Sequence, residues 1–295
     1  MQTKLIGGLA SIPEREATLE RVVASIANQL DILYVYLNNY KNIPAFFKKY
    51  PHVRPLLSSQ ERGDLNANGK MYFLEYENEG IAFTLDDDIV YPKNYVDKFI
   101  EVFDTFKMPV MVCVHGSVFP QKVNYYYERS ITFVSKSKQQ YNNIVSLGGS
   151  GTMAFPVNVV KNNTHDFFSE VYVDLQLSLL AHQCRMPLIS INRPEKWIKF
   201  LRYEGLWEIT RSRISHHTYI LQKHSHLVAW PYIRSIWNDH IDSLKAQGVL
   251  NPYNVLNLGP ASIDFLEGGE FYDDTLALIL LSKLSELSDN LHGTF

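Results

Sequence analysis

Cysteine is almost absent from this chain: Cys113 and Cys184 are its two, among 295 residues. They lie far apart and in apolar contexts, which excludes a disulfide framework and fits reduced, buried thiols in a cytosolic protein. Charge of one sign is also missing. The 28 basic and 31 acidic side chains nearly cancel, and no basic run is long enough to leave the electrostatic footprint of a nucleic-acid binder. Apolar runs fall short of the ~20 residues that cross a membrane. The N-terminus, Met-Gln-Thr-Lys-Leu-Ile-Gly-Gly-Leu-Ala, lacks the long apolar core of a signal peptide and passes directly into a strand-like run.

What is present centres on residues 81 to 92, Ile-Ala-Phe-Thr-Leu-Asp-Asp-Asp-Ile-Val-Tyr-Pro. A short apolar, β-prone run fits a buried strand of a parallel sheet. Asp is disfavoured inside strands, so Asp86, Asp87 and Asp88 mark where the strand leaves the core. In open α/β sheets ligands bind beyond the carboxyl ends of the strands. Three adjacent carboxylates repel one another unless a cation sits among them, and an oxygen-only set suits Mg²⁺ or Mn²⁺ together with the phosphates of a substrate. A solvated acidic loop is the plainer alternative.

Strands alternate with helices on either side of this motif. Lys4 to Ala10, Ile32 to Leu37, Val53 to Leu57, Val110 to Val114 and Leu188 to Ile191 read as strands, the last of these closing the sheet. Thr18 to Leu30 carries Leu19, Val22, Val23 and Ile26 at helical spacing. Lys70 to Tyr76 and Tyr172 to Cys184 read as further helices, and Pro92 suits the first turn of another. The alternation predicts a mostly parallel, doubly wound sheet. Residues 116 to 146 read as an aromatic excursion, and Gly148 to Thr152 as a glycine-rich turn that lets backbone approach a ligand. After Pro194 the alternation fades. Arg211, Arg213, His216, His217, His224 and His226 then invite phosphate binding, and Leu276 to Leu284 reads as an apolar helix.

Several groups of residues follow one another in an order that resembles a known family. They are Ser11-x-Pro13-x-Arg15, Gly69-Lys70, Asp86-Asp87-Asp88-Ile-Val-Tyr-Pro92-x-x-Tyr95-Val96, Gly149-x-Gly151-Thr152, Val173-Asp174, and Glu195-Lys196 with Glu204-Gly205-Leu206-Trp207. The same order occurs in bacterial heparosan-type α-N-acetylglucosaminyltransferases of capsule synthesis, nucleotide-sugar glycosyltransferases of the GT-A fold. The similarity covers about residues 3 to 213. It implies an α/β GT-A catalytic domain over 1 to 213, with a nucleotide-sugar half to about 115 and an acceptor half beyond it. Residues 214 to 295 would form a helical C-terminal extension, serving as a cap or as a contact in a homo-oligomer.

The resemblance also assigns roles. Asp86 and Asp88 would hold Mn²⁺ or Mg²⁺, with His216 a positional candidate for a further ligand. Ser11, Pro13, Arg15, Asp64, Lys70, Asp86 and Asp87 would surround a UDP-sugar donor. Gly149, Gly151, Thr152 and the catalytic candidate Asp174 would lie by the transferred sugar and an oligosaccharide or glycolipid acceptor. Arg211 and Arg213 would hold the diphosphate. Such an enzyme would work in the cytoplasm or at the cytoplasmic face of the inner membrane, within a polysaccharide assembly complex.

Two other classes compete. Leu85-Asp86-Asp87-Asp88-Ile89-Val90 also satisfies the motif of haloacid-dehalogenase-type phosphatases, in which the first Asp is a nucleophile. That class places the motif on its first strand, whereas two β-α units precede it here, and Asp273-Asp274 is the one later acidic pair. A non-catalytic nucleotide-sugar-binding module is the third reading, and Asp86, Asp88 and Asp174 together count against it.

Overall fold

The computed structural model describes residues 3–163, 173–201 and 214–251. The first half is a run of β-α units. Strand β1 (Leu5–Ser11) leads through a single 3-10 turn, Pro13–Arg15, into α1 (Glu16–Ile26), then β2 (Ile32–Leu37), β3 (Val53–Leu57) and β4 (Ile81–Asp86). The short β5 (Ile89–Val90) follows the acidic loop and precedes α2 (Tyr95–Thr105). Pro92 lies just outside that helix instead of within its first turn, its carbonyl accepting the Tyr95 amide at 3.0 Å. The expected helix after residue 70 is a 3-10 segment, Asn66–Glu75.

The second half adds β6 (Met111–Cys113), β7 (Gly116–Val118), β8 (Ile131–Phe133), β9 (Asn142–Ile144), β10 (Leu147–Gly148), β11 (Thr152–Pro156), β12 (Leu188–Ser190), β13 (Lys199–Phe200) and β14 (Val249–Leu250). Its helices are α3 (Val157–Asn162), α4 (Val173–Gln183), α5 (Ile214–Lys223), α6 (Ser225–Val228), α7 (Trp230–Asp239) and α8 (Ile241–Ala246).

Nine strands form the central sheet in the order β14-β9-β12-β6-β11-β4-β1-β2-β3. Most neighbours are parallel, as the alternation of strands and helices predicts. The exceptions are β11, antiparallel to both β4 and β6, and the β12–β9 pair. Residues 116 to 148 supply a separate antiparallel sheet, β10-β7-β8, so the excursion is largely its own small β element. Leu188–Ser190 does not close the sheet, because β14 extends it at the edge beside β9.

Both faces of the sheet are covered, which is why its strands are apolar almost throughout. Leu9, Phe83, Leu85 and Ala154 point to one face and meet Leu19, Val22, Val23 and Ile26 of α1 and Tyr95, Phe99 and Val102 of α2. The Phe99 ring packs edge-on to Phe83, centroids 5.6 Å apart. Ile6, Ala82, Met153 and Phe155 point to the other face, against Phe73, Leu74 and the Leu177 and Leu180 side of α4. Gly8 lies in β1 on that second face. A Cβ there would meet the Lys70 carbonyl oxygen at 2.0 Å and Phe73 Cδ1 at 2.6 Å, so the glycine is what lets segment 66–75 lie directly on the strand.

The C-terminal helices are part of the same core. Ile233, Ile236 and Trp237 of α7 and Leu244 of α8 join the cluster around α1 and α2. Leu276 to Leu284 and the rest of the chain after residue 251 lie outside the described residues. Trp237 is 2 % exposed, and Trp237→Ala should lower stability by about 3–5 kcal/mol. Urea unfolding should show this as a shift of one cooperative transition, and a separate early transition for the C-terminal helices would contradict the shared core.

Candidate functional site

The carboxyl ends of β1 and β4 lie side by side, Ala10 opposite Asp86, while antiparallel β11 brings its first residue, Thr152, to Leu85. The glycine-rich turn thereby meets the acidic loop. A Cβ on Gly151 would stand 2.0 Å from Asp86 Oδ2, so no side chain fits between turn and carboxylate. The buried Tyr91 hydroxyl joins the same two elements, accepting the Asp86 amide at 2.9 Å and donating to the Gly151 carbonyl at 2.6 Å. Behind the loop, β13 pairs with β5, and the Leu201 amide donates to the Asp88 carbonyl at 2.7 Å. Trp197 stacks on Tyr95 with centroids 5.6 Å apart.

The three carboxylates diverge. Asp86 is bound by the Lys70 ammonium; the lysine side chain is 5 % exposed and that of Asp86 38 %, so Lys70 rises from the core and the carboxylate faces the crevice. Asp87 turns inward, one oxygen taken by Arg15 and the other by the Ser11 hydroxyl at 2.6 Å. Asp87 is thus a buried clasp holding the loop to the end of β1, bonded by Ser11 and Arg15, the residues expected with it around the donor. Asp88 lies 3.5 Å from the same Arg15 guanidinium. Pro13 opens the turn that presents Arg15, whose amide returns to the Ile12 carbonyl at 3.0 Å.

Burial pushes the Asp88 carboxyl up to about 6, the charge on Asp86 adding to the effect. Asp87 is also raised by burial, against the pull of Arg15 and Ser11. Burial works against the charge on Lys70, but Asp86, Asp174 and Asp87 outweigh it and lift the ammonium above its ordinary value.

The residues expected by the acceptor gather at the other flank of the turn. Asp174, in the first turn of α4, accepts the Ser150 amide at 2.8 Å, which ties it to the Gly149–Thr152 segment. Thr152 Oγ1 donates to the Gly149 carbonyl at 3.3 Å. Asp64 is exposed and forms a small network beyond β2, accepting from Asn39 Nδ2 and the Asn66 amide, each at 2.8 Å. Among the C-terminal cations, His217 is buried with its ring 5.0 Å from Tyr126. His216 is exposed beside Tyr219. Arg211, Arg213 and Glu204 to Trp207 lie outside the described residues. Sequence reasoning passed over Tyr91, although it stands inside the acidic motif, and the backing strand 199–200, for which alternation gave no signal.

Among the described residues no three His, Cys, Asp or Glu side chains form a metal-binding group. The charge count nevertheless asks for a cation. Among the described residues, Asp86, Asp87, Asp88 and Asp174 bring four negative charges to the loop, and Arg15 and Lys70 return two, leaving an excess of two. Asp86 and Asp88 thus fit a divalent ion that draws its remaining ligands from water and a bound phosphate.

The raised Asp88 value sets a sign for stability. Its folded value of about 6 exceeds the ~3.9 of an unfolded aspartate. The stabilisation by the protonated form is therefore complete below ~4 and is lost as pH rises through about 6. In EDTA, Asp88→Asn should be more stable than the parent by about 1–3 kcal/mol at pH 7, with the gap closing near pH 4. Thermal melts across that range read the difference, and a variant less stable at pH 7 would refute the repulsion.

No protein-family model and no curated protein matches the chain. Solved structures do. Staphylococcus aureus TarS 1–349 in complex with UDP-GlcNAc is 12% identical, with 91% of this chain and 79% of that one covered at a TM-score of 0.49. The mannosyltransferase PcManGT of Pyrobaculum calidifontis, in complex with GDP-Man and Mn²⁺, is 11% identical, with 96% and 87% covered at a TM-score of 0.51. The chain shares the fold of that mannosyltransferase: a large, mostly parallel central sheet between helices.

Proposed function

We propose that this protein is a metal-dependent glycosyltransferase that moves a sugar, with retention, from UDP-GlcNAc or a similar UDP-sugar to a glycan acceptor in bacterial surface polysaccharide synthesis. The observation that carries the reading is the excess of two negative charges at the carboxyl end of β4, in reach of Arg15 and Lys70. That arrangement suits a metal-bound diphosphate, and the shared fold with a mannosyltransferase supports it.

Asp86 and Asp88 hold Mn²⁺ or Mg²⁺ in this reading. When bound, the metal offsets charge on the departing nucleoside diphosphate as a Lewis acid. The Lys70 ammonium and the Arg15 guanidinium supply further positive charge to the diphosphate oxygens. Ser11, Pro13 and Asp64, around the ends of β1 and β2, border the uridine. Gly149 to Thr152 lie by the transferred sugar, and Asp174, fixed by the Ser150 amide, orients the acceptor hydroxyl. With retention, the leaving phosphate takes the acceptor proton on the same face, so Asp174 need not be the base. The enzyme works in the cytoplasm, on the inner-membrane surface where a lipid-linked acceptor is extended. Arg211 and Arg213 complete the diphosphate contacts.

Calorimetry with UDP and Mn²⁺ tests the donor site. Lys70→Ala should weaken UDP by about 1–3 kcal/mol, the range for a charge-assisted hydrogen bond. Full turnover of a nucleotide sugar in excess EDTA would sink the metal assignment. Asp174→Asn should lower transfer strongly but incompletely and leave the product α-linked by NMR. A β-linked product would instead show inversion and make Asp174 the general base.

A further inference from the structure

His115 follows β6 at the same carboxyl edge of the sheet, with β11 lying between it and the acidic strand β4. Two strand spacings put it roughly 10 Å along the edge from β4, about one sugar ring away. Its carbonyl accepts the Gly149 amide at 2.9 Å. A Cβ on Gly149 would touch His115 Cβ at 3.2 Å and Cδ2 at 3.6 Å, so the imidazole lies against the glycine turn. The next residue of that turn, Ser150, binds Asp174. His115 and Asp174 therefore flank one turn.

Buried His182 of α4 behaves differently. His182 Nε2 lies 2.7 Å from the Ser146 carbonyl, an imidazole committed to the backbone. His52 likewise reaches the Ala27 carbonyl at 2.8 Å. Neither ring nitrogen of half-buried His115 has a hydrogen-bond partner among the described residues. A polar ring placed at a crevice with both nitrogens unspent is suited to a ligand.

We propose that His115 contacts the acceptor sugar, its imidazole and the Asp174 carboxylate together gripping hydroxyls of a neutral hexopyranoside. This rests on the glycosyltransferase reading above. Burial lowers the His115 pKa to about 4, with Arg193 and Arg129 adding to the fall and Asp174 opposing it. The ring is neutral at pH 7, with one N–H to donate and one nitrogen to accept, which matches a hydroxyl that does both. Asp174 accepts only, so the pair fixes the direction of the hydrogen bonds.

The test uses the full chain labelled with ¹⁵N-histidine and loaded with UDP and Mg²⁺. Methyl hexopyranosides and methyl N-acetylhexosaminides are titrated one at a time. One of them should move the ring signal that is missing in His115→Ala. That variant should bind it about tenfold more weakly, His115→Gln should recover part of the loss, and UDP affinity should stay within twofold of the parent. The inference is overturned if a glycoside binds while the His115 signal stays still, if both variants bind it as tightly as the parent, or if the UDP-loaded protein binds none of them. If His115→Ala does not fold, His115→Gln carries the comparison. UDP binding to the parent reads the glycosyltransferase assignment separately: its loss, with the glycoside shift intact, would remove the donor and keep the sugar subsite.

Discussion

Too many carboxylates at the end of one strand is the constraint around which the rest is arranged. Asp86, Asp87 and Asp88 follow one another off the strand end, and each is held differently: by a lysine from beneath, by a serine at the end of the neighbouring strand and an arginine from the turn after it, and by the shared edge of that same arginine. Like charges this close, and partly withdrawn from water, are costly to keep ionised. The loop stays in place because β1, segment 66–75, the Tyr91 hydroxyl and the strap at 199–201 hold it from four sides. The site stores repulsion that a bound cation would relieve.

Glycine sets how closely these pieces approach. Gly8 brings the backbone of Lys70 onto β1, and from there the ammonium reaches Asp86. Gly151 brings the turn against the same carboxylate from the opposite side. One side chain thus sits between two contacts that each depend on a missing Cβ, and the charge geometry follows from backbone packing more than from any polar network.

Much of this was legible in the sequence. The run 81–86, its acidic end and the α1 stripe at Leu19, Val22, Val23 and Ile26 follow from periodicity and propensity, and the parallel first half follows from them. What escaped has a common cause. The antiparallel insertion of β11, the edge strand β14 and the strap β13 are defined by partners far away in sequence, and the two-residue β13 and β14 have too few positions to show a period. Inward-turned Asp87 illustrates the same limit at the site. Three identical residues in a row cannot say which of them faces the core, since that depends on where Ser11 and Arg15 arrive. His115 gave no motif at all; its interest comes from what its ring does not bond.

The position of β11 bears on the order in which the molecule is assembled. Strands β1 to β4 all lie within the first 90 or so residues and pair without it, so this side of the sheet can form before β11 arrives. The wall opposite Asp86 is supplied by a strand that must return across the whole 87–151 stretch and run backwards between β4 and β6. Contacts of that span carry a loop-closure cost before they contribute stability. The two sides of the crevice are therefore joined only once β11 has inserted, and a chain caught before that step would expose the unpaired edge of β4 to a neighbour.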